Sequence, residues 1–133
     1  MSIVKSRHFL SGASLSHCKR TQDVETTPLP LPERVTIPML QHMGAPCDPL
    51  VKKGDTVLVG QKIGESEQGF SVPVHASCSG VVEEIIDYQT SAGPFCKAVV
   101  IKTDGEQAKD PSLHKPELSG KEDFIQAVRE SGC

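Results

Sequence analysis

From Arg34 onward the chain breaks into short apolar runs: Val35 to Leu40, Thr56 to Ile63, Ser71 to Ala76, Gly80 to Ile86 and Ala98 to Thr103. Each run is of strand length. Between them stand Lys53-Gly54-Asp55, Glu67-Gln68-Gly69, Ser77 to Gly80 and Ala92-Gly93-Pro94, residue types that let a backbone reverse. Apolar and polar positions alternate along Thr56-Val57-Leu58-Val59-Gly60-Gln61-Lys62-Ile63, and more cleanly along Cys96-Lys97-Ala98-Val99-Val100-Ile101-Lys102. This predicts strands with one face on a core and one in water, Val57 and Val59 pointing inward. Strands this short, with turns this frequent, predict a small, mainly antiparallel β domain whose edges close or are covered.

The flanks read differently. Residues 1–33 are poor in apolar side chains, and Thr26-Thr27-Pro28-Leu29-Pro30-Leu31-Pro32 fixes φ at every second position, which predicts an extended arm leading into the first strand. Asp104 to Leu118 reads as a polar linker. Ser119-Gly120-Lys121-Glu122 has capping-box spacing, and Phe124, Ile125 and Val128 recur at helical intervals, so a short helix is predicted over Gly120 to Ser131, ended by Gly132. The division is an arm over 1–33, a β domain over 34–103, and a linker with helix over 104–133.

Composition narrows the class. The chain has 133 residues, room for one modest domain. Gly and Pro, 11 and 10 of them, agree with a turn-rich β structure. A formal charge of −3 argues against a nucleic-acid partner, which is held by many Lys and Arg displacing counterions. No stretch is long and apolar enough to cross a bilayer, and without an export signal the expectation is a cytoplasmic protein that reaches a membrane only through partner subunits.

Val51 to Glu65, with its Lys53-Gly54-Asp55 turn, followed by Val72-Pro73-Val74-His75-Ala76-Ser77-Cys78-Ser79-Gly80-Val81-Val82, resembles biotinyl and lipoyl carrier domains, which are barrel-sandwich hybrids. Gly54-Asp55 supplies a tight turn, and Gly80 permits a sharp entry into the matching strand. Carriers acylate a Lys at the intervening hairpin tip. Here the tip, Glu65-Ser66-Glu67-Gln68-Gly69-Phe70-Ser71, has none, and Lys62 comes too early. Fold resemblance does not transfer that function.

A longer resemblance adds Ile37-Pro38-Met39-Leu40-Gln41-His42-Met43-Gly44-Ala45-Pro46, Gly60-Gln61-Lys62-Ile63-Gly64 and Pro73 to Gly80. Together these resemble the N-terminal region of RnfC, a peripheral subunit of an electron-transport complex at the membrane. Cys78 stands where that family more often has a small aliphatic residue. Ser11 to His17 is a degraded form of a glycine- and histidine-bearing motif. The resemblance implies a parent oxidoreductase component carrying FMN, NADH and two 4Fe-4S iron–sulfur clusters, with other electron-transfer subunits as partners. It further implies that this chain ends before the Gly-rich flavin loop and the cluster cysteines.

The residues agree with a non-catalytic segment. No G-x-G-x-x-G occurs, and consecutive cysteines stand 29, 31, 18 and 37 positions apart, whereas clusters draw on closely spaced ligands. No catalytic, cofactor or metal ligand is assigned. Structural or interface candidates are Gln41, His42, Gly54, Asp55, His75 and Gly80. His42 is read as a histidine pinning the turn after it and His75 as a strand residue; a metal set of His42, His75 and Cys78 is the competing arrangement. His17-Cys18 is too close a pair to chelate alone. Cys47 and Cys78 read as small buried hydrophobes and Cys133 as exposed. Glu83, Glu84 and Asp87 read as a solvated face, Lys52 and Lys53 as exposed turn residues. Three functions compete: a structural domain of an RnfC-like subunit, a domain of a soluble relative feeding electrons to a cytosolic amino-acid reductase, weakly favoured by the extra cysteines, and an inactive biotinyl-like interaction scaffold.

Overall fold

The structure, a computed structural model, describes residues 18–91 and 93–132; Ser11 to His17, Ala92 and Cys133 lie outside the described residues. Seven strands and one helix follow in the order β1 (Arg34–Pro38), β2 (Asp48–Pro49), β3 (Thr56–Val57), β4 (Lys62–Glu65), β5 (Val74–His75), β6 (Gly80–Gln89), β7 (Phe95–Thr103) and α1 (Lys121–Glu130). One sheet has the order β1-β7-β6-β3 and the other β2-β4-β5. All paired strands are antiparallel. The expected mainly β barrel-sandwich hybrid with a short C-terminal helix is what the chain forms.

Both sheets feed one core. Met39, Val57, Ile63, Val99 and Ile101 are fully buried, with Cys47, Cys78 and Val82 among them. Each large aliphatic chain removed from water stabilises the fold by about 1.5–3 kcal/mol, which is what holds strands of only two residues in place. Gly64 is needed here, because a Cβ would meet the Met39 sulfur at 2.5 Å and Cys47 Cβ at 3.3 Å.

The apolar run Thr56 to Ile63 is two strands in different sheets, not one. Gly60 has φ +82, Gln61 N–H donates to the Leu58 carbonyl (3.0 Å), and Gln61 Oε1 accepts from Leu58 N–H (3.0 Å). Alternation persists across the corner because each half obeys it separately. Val59 is accordingly not a core residue. It is half-buried and bridges to the segment after β7, its N–H donating to Ala108 O and its carbonyl accepting from Asp110 N–H, both 2.9 Å. The stretch from Asp104 is thus strapped to the barrel. Buried Ser79 Oγ donates to Asp104 Oδ1 (2.6 Å) and accepts from Ala108 N–H (3.2 Å).

The expectation of one wet face per strand fails at β7, where Ala98, Val99, Val100 and Ile101 are all buried. As the strand between β1 and β6, it is spanned by a paired salt bridge, Arg34 Nε to Glu83 Oε2 at 2.6 Å and Nη2 to Oε1 at 3.0 Å. Glu83 and Asp87 are therefore ion-paired, the latter to Lys97 at 2.7 Å.

The helix departs from its expected cap. Gly120 occupies the N-cap, without a side-chain bond, and Asp123 accepts from Ser119 N–H (3.1 Å). Ser119 lies one residue too early for its hydroxyl to serve the first turn, so Asp123 supplies the reciprocal half of the motif alone. At the other flank, the arm over 18–33 is exposed, and Thr103 binds its last residues through Oγ1 to Pro32 O (2.7 Å) and N–H to Glu33 O (3.0 Å).

Candidate functional site

The candidates from the sequence sort into two groups. Gly54, Asp55 and Gly80 come together where β3 meets β6. Asp55 Oδ2 accepts from Lys52 N–H (2.8 Å), Gly54 N–H donates to Val82 O, and Val82 N–H donates to Asp55 O, both 2.8 Å. Gly54 takes φ +93 with open space around it. Gly80 differs: a Cβ there would fall on the Lys102 carbonyl of β7. This group is a structural corner.

Gln41, His42 and His75 meet at the other group, lining a shallow pocket of about 150 Å³ with Val72, Pro73, Val74, Ser131 and Gly132. His42 Nε2 lies 3.1 Å from both the Ala45 carbonyl and Ser71 Oγ. A carbonyl only accepts, so Nε2 is the protonated nitrogen. Ser71 Oγ also donates to Ala45 O (3.2 Å), and the Cys47 thiol donates to Val72 O (3.2 Å). Gln41 Nε2 donates to Pro38 O (3.2 Å). His42 thus pins the turn after β1 to the strand leading into β5. Ser71, its partner, carries no signal in the sequence, since only the fold brings positions 29 apart into contact.

A larger cleft, about 840 Å³, opens between α1, residues 110–117 and the barrel edge at Gly60, Gln61, Lys62 and His75. Its closure depends on Lys62, whose Nζ lies 2.6 Å from Glu130 Oε2 and 3.3 Å from Glu65 Oε1. The bond to Glu130 leads in raising the Lys62 pKa, and the same bond leads in lowering that of Glu130. Lys62 is an ion-paired latch, and the hairpin tip beyond it carries no amine to acylate.

The residues do not fit a metal or cluster. Among the described residues no group of three or more His, Cys, Asp or Glu side chains can hold a metal ion, so His42, His75 and Cys78 do not form the competing set. Cys47 and Cys78 are core residues, and burial pushes the Cys78 thiol upward, away from the thiolate a metal needs. No step through iron, flavin or nicotinamide is derived for these residues.

A family model described as the RnfC barrel sandwich hybrid domain matches residues 7–106. The chain is similar to the RnfC subunit of the Na(+)-translocating ferredoxin:NAD(+) oxidoreductase complex of Acetobacterium woodii, 51% identical over 82 residues, covering 62% of this chain and 18% of that protein. It is also similar to the RnfC subunit of the proton-translocating ferredoxin:NAD(+) oxidoreductase complex of Clostridium ljungdahlii, 41% identical over 107 residues, covering 77% of this chain and 23% of that protein. The corresponding subunit of the ion-translocating oxidoreductase complex of Rhodobacter capsulatus is 31% identical over 121 residues, covering 88% and 23% respectively. The chain spans about a fifth of the length of these relatives, between 18% and 23%.

Proposed function

Because the chain belongs to the RnfC barrel sandwich hybrid domain family, we propose that it is the non-catalytic N-terminal positioning domain of a subunit that passes electrons between NADH and ferredoxin. FMN, NADH and two 4Fe-4S clusters are assigned to other parts of the parent, since the donor sets here do not fit them. The parent is peripheral on the cytoplasmic face of its membrane, held by partner subunits; among the described residues no helix is long and apolar enough to cross a bilayer. The extra cysteine that favoured a soluble reductase pathway is a buried packing residue and lends that reading no support.

The observation that carries the proposal is the orientation of α1. Successive helical residues turn about 100°, which puts Phe124, Ile125 and Val128 on one side and Asp123, Gln126, Ala127 and Glu130 on the other. It is the second side that faces the barrel, across the cleft, while Phe124, Ile125 and Val128 stay exposed. A helix docked polar side inward, with its apolar stripe outward, is one built to receive a further packed surface. We assign that surface to the flavin domain of the parent, with residues 104–133 leading into it.

Expression of the whole parent reading frame tests this. The expected product shows a flavin absorbance band, binds NADH, and protects the α1 amides from hydrogen exchange relative to the 133-residue chain. A longer protein that folds but binds neither cofactor removes the electron-transfer reading.

A further inference from the structure

The end of the barrel built from residues 41–50 and 63–74 holds two large apolar side chains in solvent, Met43 at 85% and Phe70 at 78% exposure. They are neighbours, because the Cβ that Gly44 lacks would sit 3.0 Å from Phe70 C and 3.2 Å from its Cδ1, at a φ of +133. Glycine is what lets the two loops touch. Their backbones are joined by Ala45 N–H to Phe70 O at 3.0 Å. The bonds of Ser71 and His42 to Ala45 O lie directly below. The tip is tightened further by Ser66, a buried residue whose Oγ accepts from Gln68 N–H at 3.2 Å.

Exposed apolar residues scattered singly need no explanation, but an adjacent pair on a hydrogen-bonded platform presents roughly 300 Å² of apolar surface at fixed geometry. Such a knob loses little conformational freedom when it is covered. Its surroundings carry one sign of charge. Residues 41–50 and 63–74 contain Asp48, Glu65 and Glu67 and neither Lys nor Arg. An apolar centre with a polar rim is the anatomy of a protein interface, and this rim selects a cationic counterpart.

We infer that the Met43–Phe70 knob docks into an apolar pocket, rimmed by Lys or Arg, on another subunit of the electron-transfer complex. The inference rests on the complex-subunit reading above. It gives a purpose to the hairpin tip where carrier domains hold their acylated lysine. The position still faces a partner, but the contact is a packed side chain instead of a swinging cofactor.

The test uses the full-length parent assembled with its other subunits. A photoreactive benzoylphenylalanine replaces Phe70, and in a second protein Phe95, which is 68% exposed on β7 and serves as comparator. The expected adduct from position 70 joins a different polypeptide of the complex, at a peptide containing Lys or Arg, and exceeds the yield from position 95. Adducts confined to the parent's own chain or to a second copy, or a yield no higher than the comparator's, overturn the inference. In parallel, Met43→Ser with Phe70→Ser is expected to weaken subunit association at least tenfold with an unchanged urea midpoint, and Glu67→Lys to weaken it less. Association within twofold of the unaltered protein sinks this inference alone. An unaltered parent that joins no complex sinks the complex-subunit reading itself.

Discussion

Gly54 and Gly80 both have positive φ and both read as turn glycines in the sequence, yet alanine should affect them very differently. At Gly54, φ +93, nothing lies within 4 Å of the added Cβ. Only the backbone conformation is penalised, at about 1–2 kcal/mol for an L-residue. At Gly80, φ +154, the Cβ would sit 2.9 Å from Lys102 C and 3.0 Å from Thr103 Cα, with the Lys102 oxygen closer still. Ordinary contacts between carbon atoms are about 3.5–4.0 Å, so β6 and β7 must separate locally by roughly 0.5–1 Å. Neither atom set can yield as a flexible side chain would, because all belong to the β7 backbone. Separation strains the Gly80–Thr103 and Val81–Lys102 end of the ladder, beside the buried Val82–Ile101 pair. With one or two ladder bonds weakened at about 1–3 kcal/mol each in addition to the φ term, Gly80→Ala should cost about 3–5 kcal/mol. That is a large part of the roughly 5–15 kcal/mol typical of a small domain. Urea unfolding followed by far-ultraviolet circular dichroism on both variants provides the comparison. A Gly80→Ala cost within about 1 kcal/mol of the Gly54→Ala cost would refute the close-approach argument.

The Lys62–Glu130 latch predicts a pH-dependent α1. Because the folded Glu130 pKa is lowered, its contribution is complete above about pH 5.5 and fades as pH falls through the lowered value. Because the folded Lys62 pKa is raised, that half is complete below about pH 10 and fades only on passing the raised value. Hydrogen exchange of α1 amides, referred to Val99, should show faster relative opening at low pH; Glu130→Gln should abolish the dependence, and its persistence would show that another group controls the helix. Cys78, buried with its thiol pKa raised, should be alkylated at about pH 8 only as fast as the domain unfolds; modification faster than amide exchange at Val82 would contradict its burial. Ile63→Ala should destabilise the domain by about 2–5 kcal/mol, since Ile63 is fully buried between the sheets, and a loss under about 1 kcal/mol in urea would show that the core closes over the gap.

The strand-length runs, the turn glycines and the two matched half-motifs determined the architecture by themselves, because period-two burial and positive-φ turns are local properties of the chain. The same local logic erred where two elements share one pattern. Thr56 to Ile63 alternates without a break, and only the Gly60–Gln61 corner, set by what each half pairs with, divides it between two sheets. Phe124, Ile125 and Val128 marked a helix face correctly, but which face meets the barrel was decided by the long-range Lys62–Glu130 contact, 68 positions apart. His42 was legible as a residue pinning a turn; Ser71 as its partner and Asp104 as the cap of buried Ser79 were not, since both depend on side chains brought together from 29 and 25 positions away. A sequence states periodicity and conformational freedom residue by residue, whereas the partner of a polar side chain is fixed only when sheets and loops have closed around it.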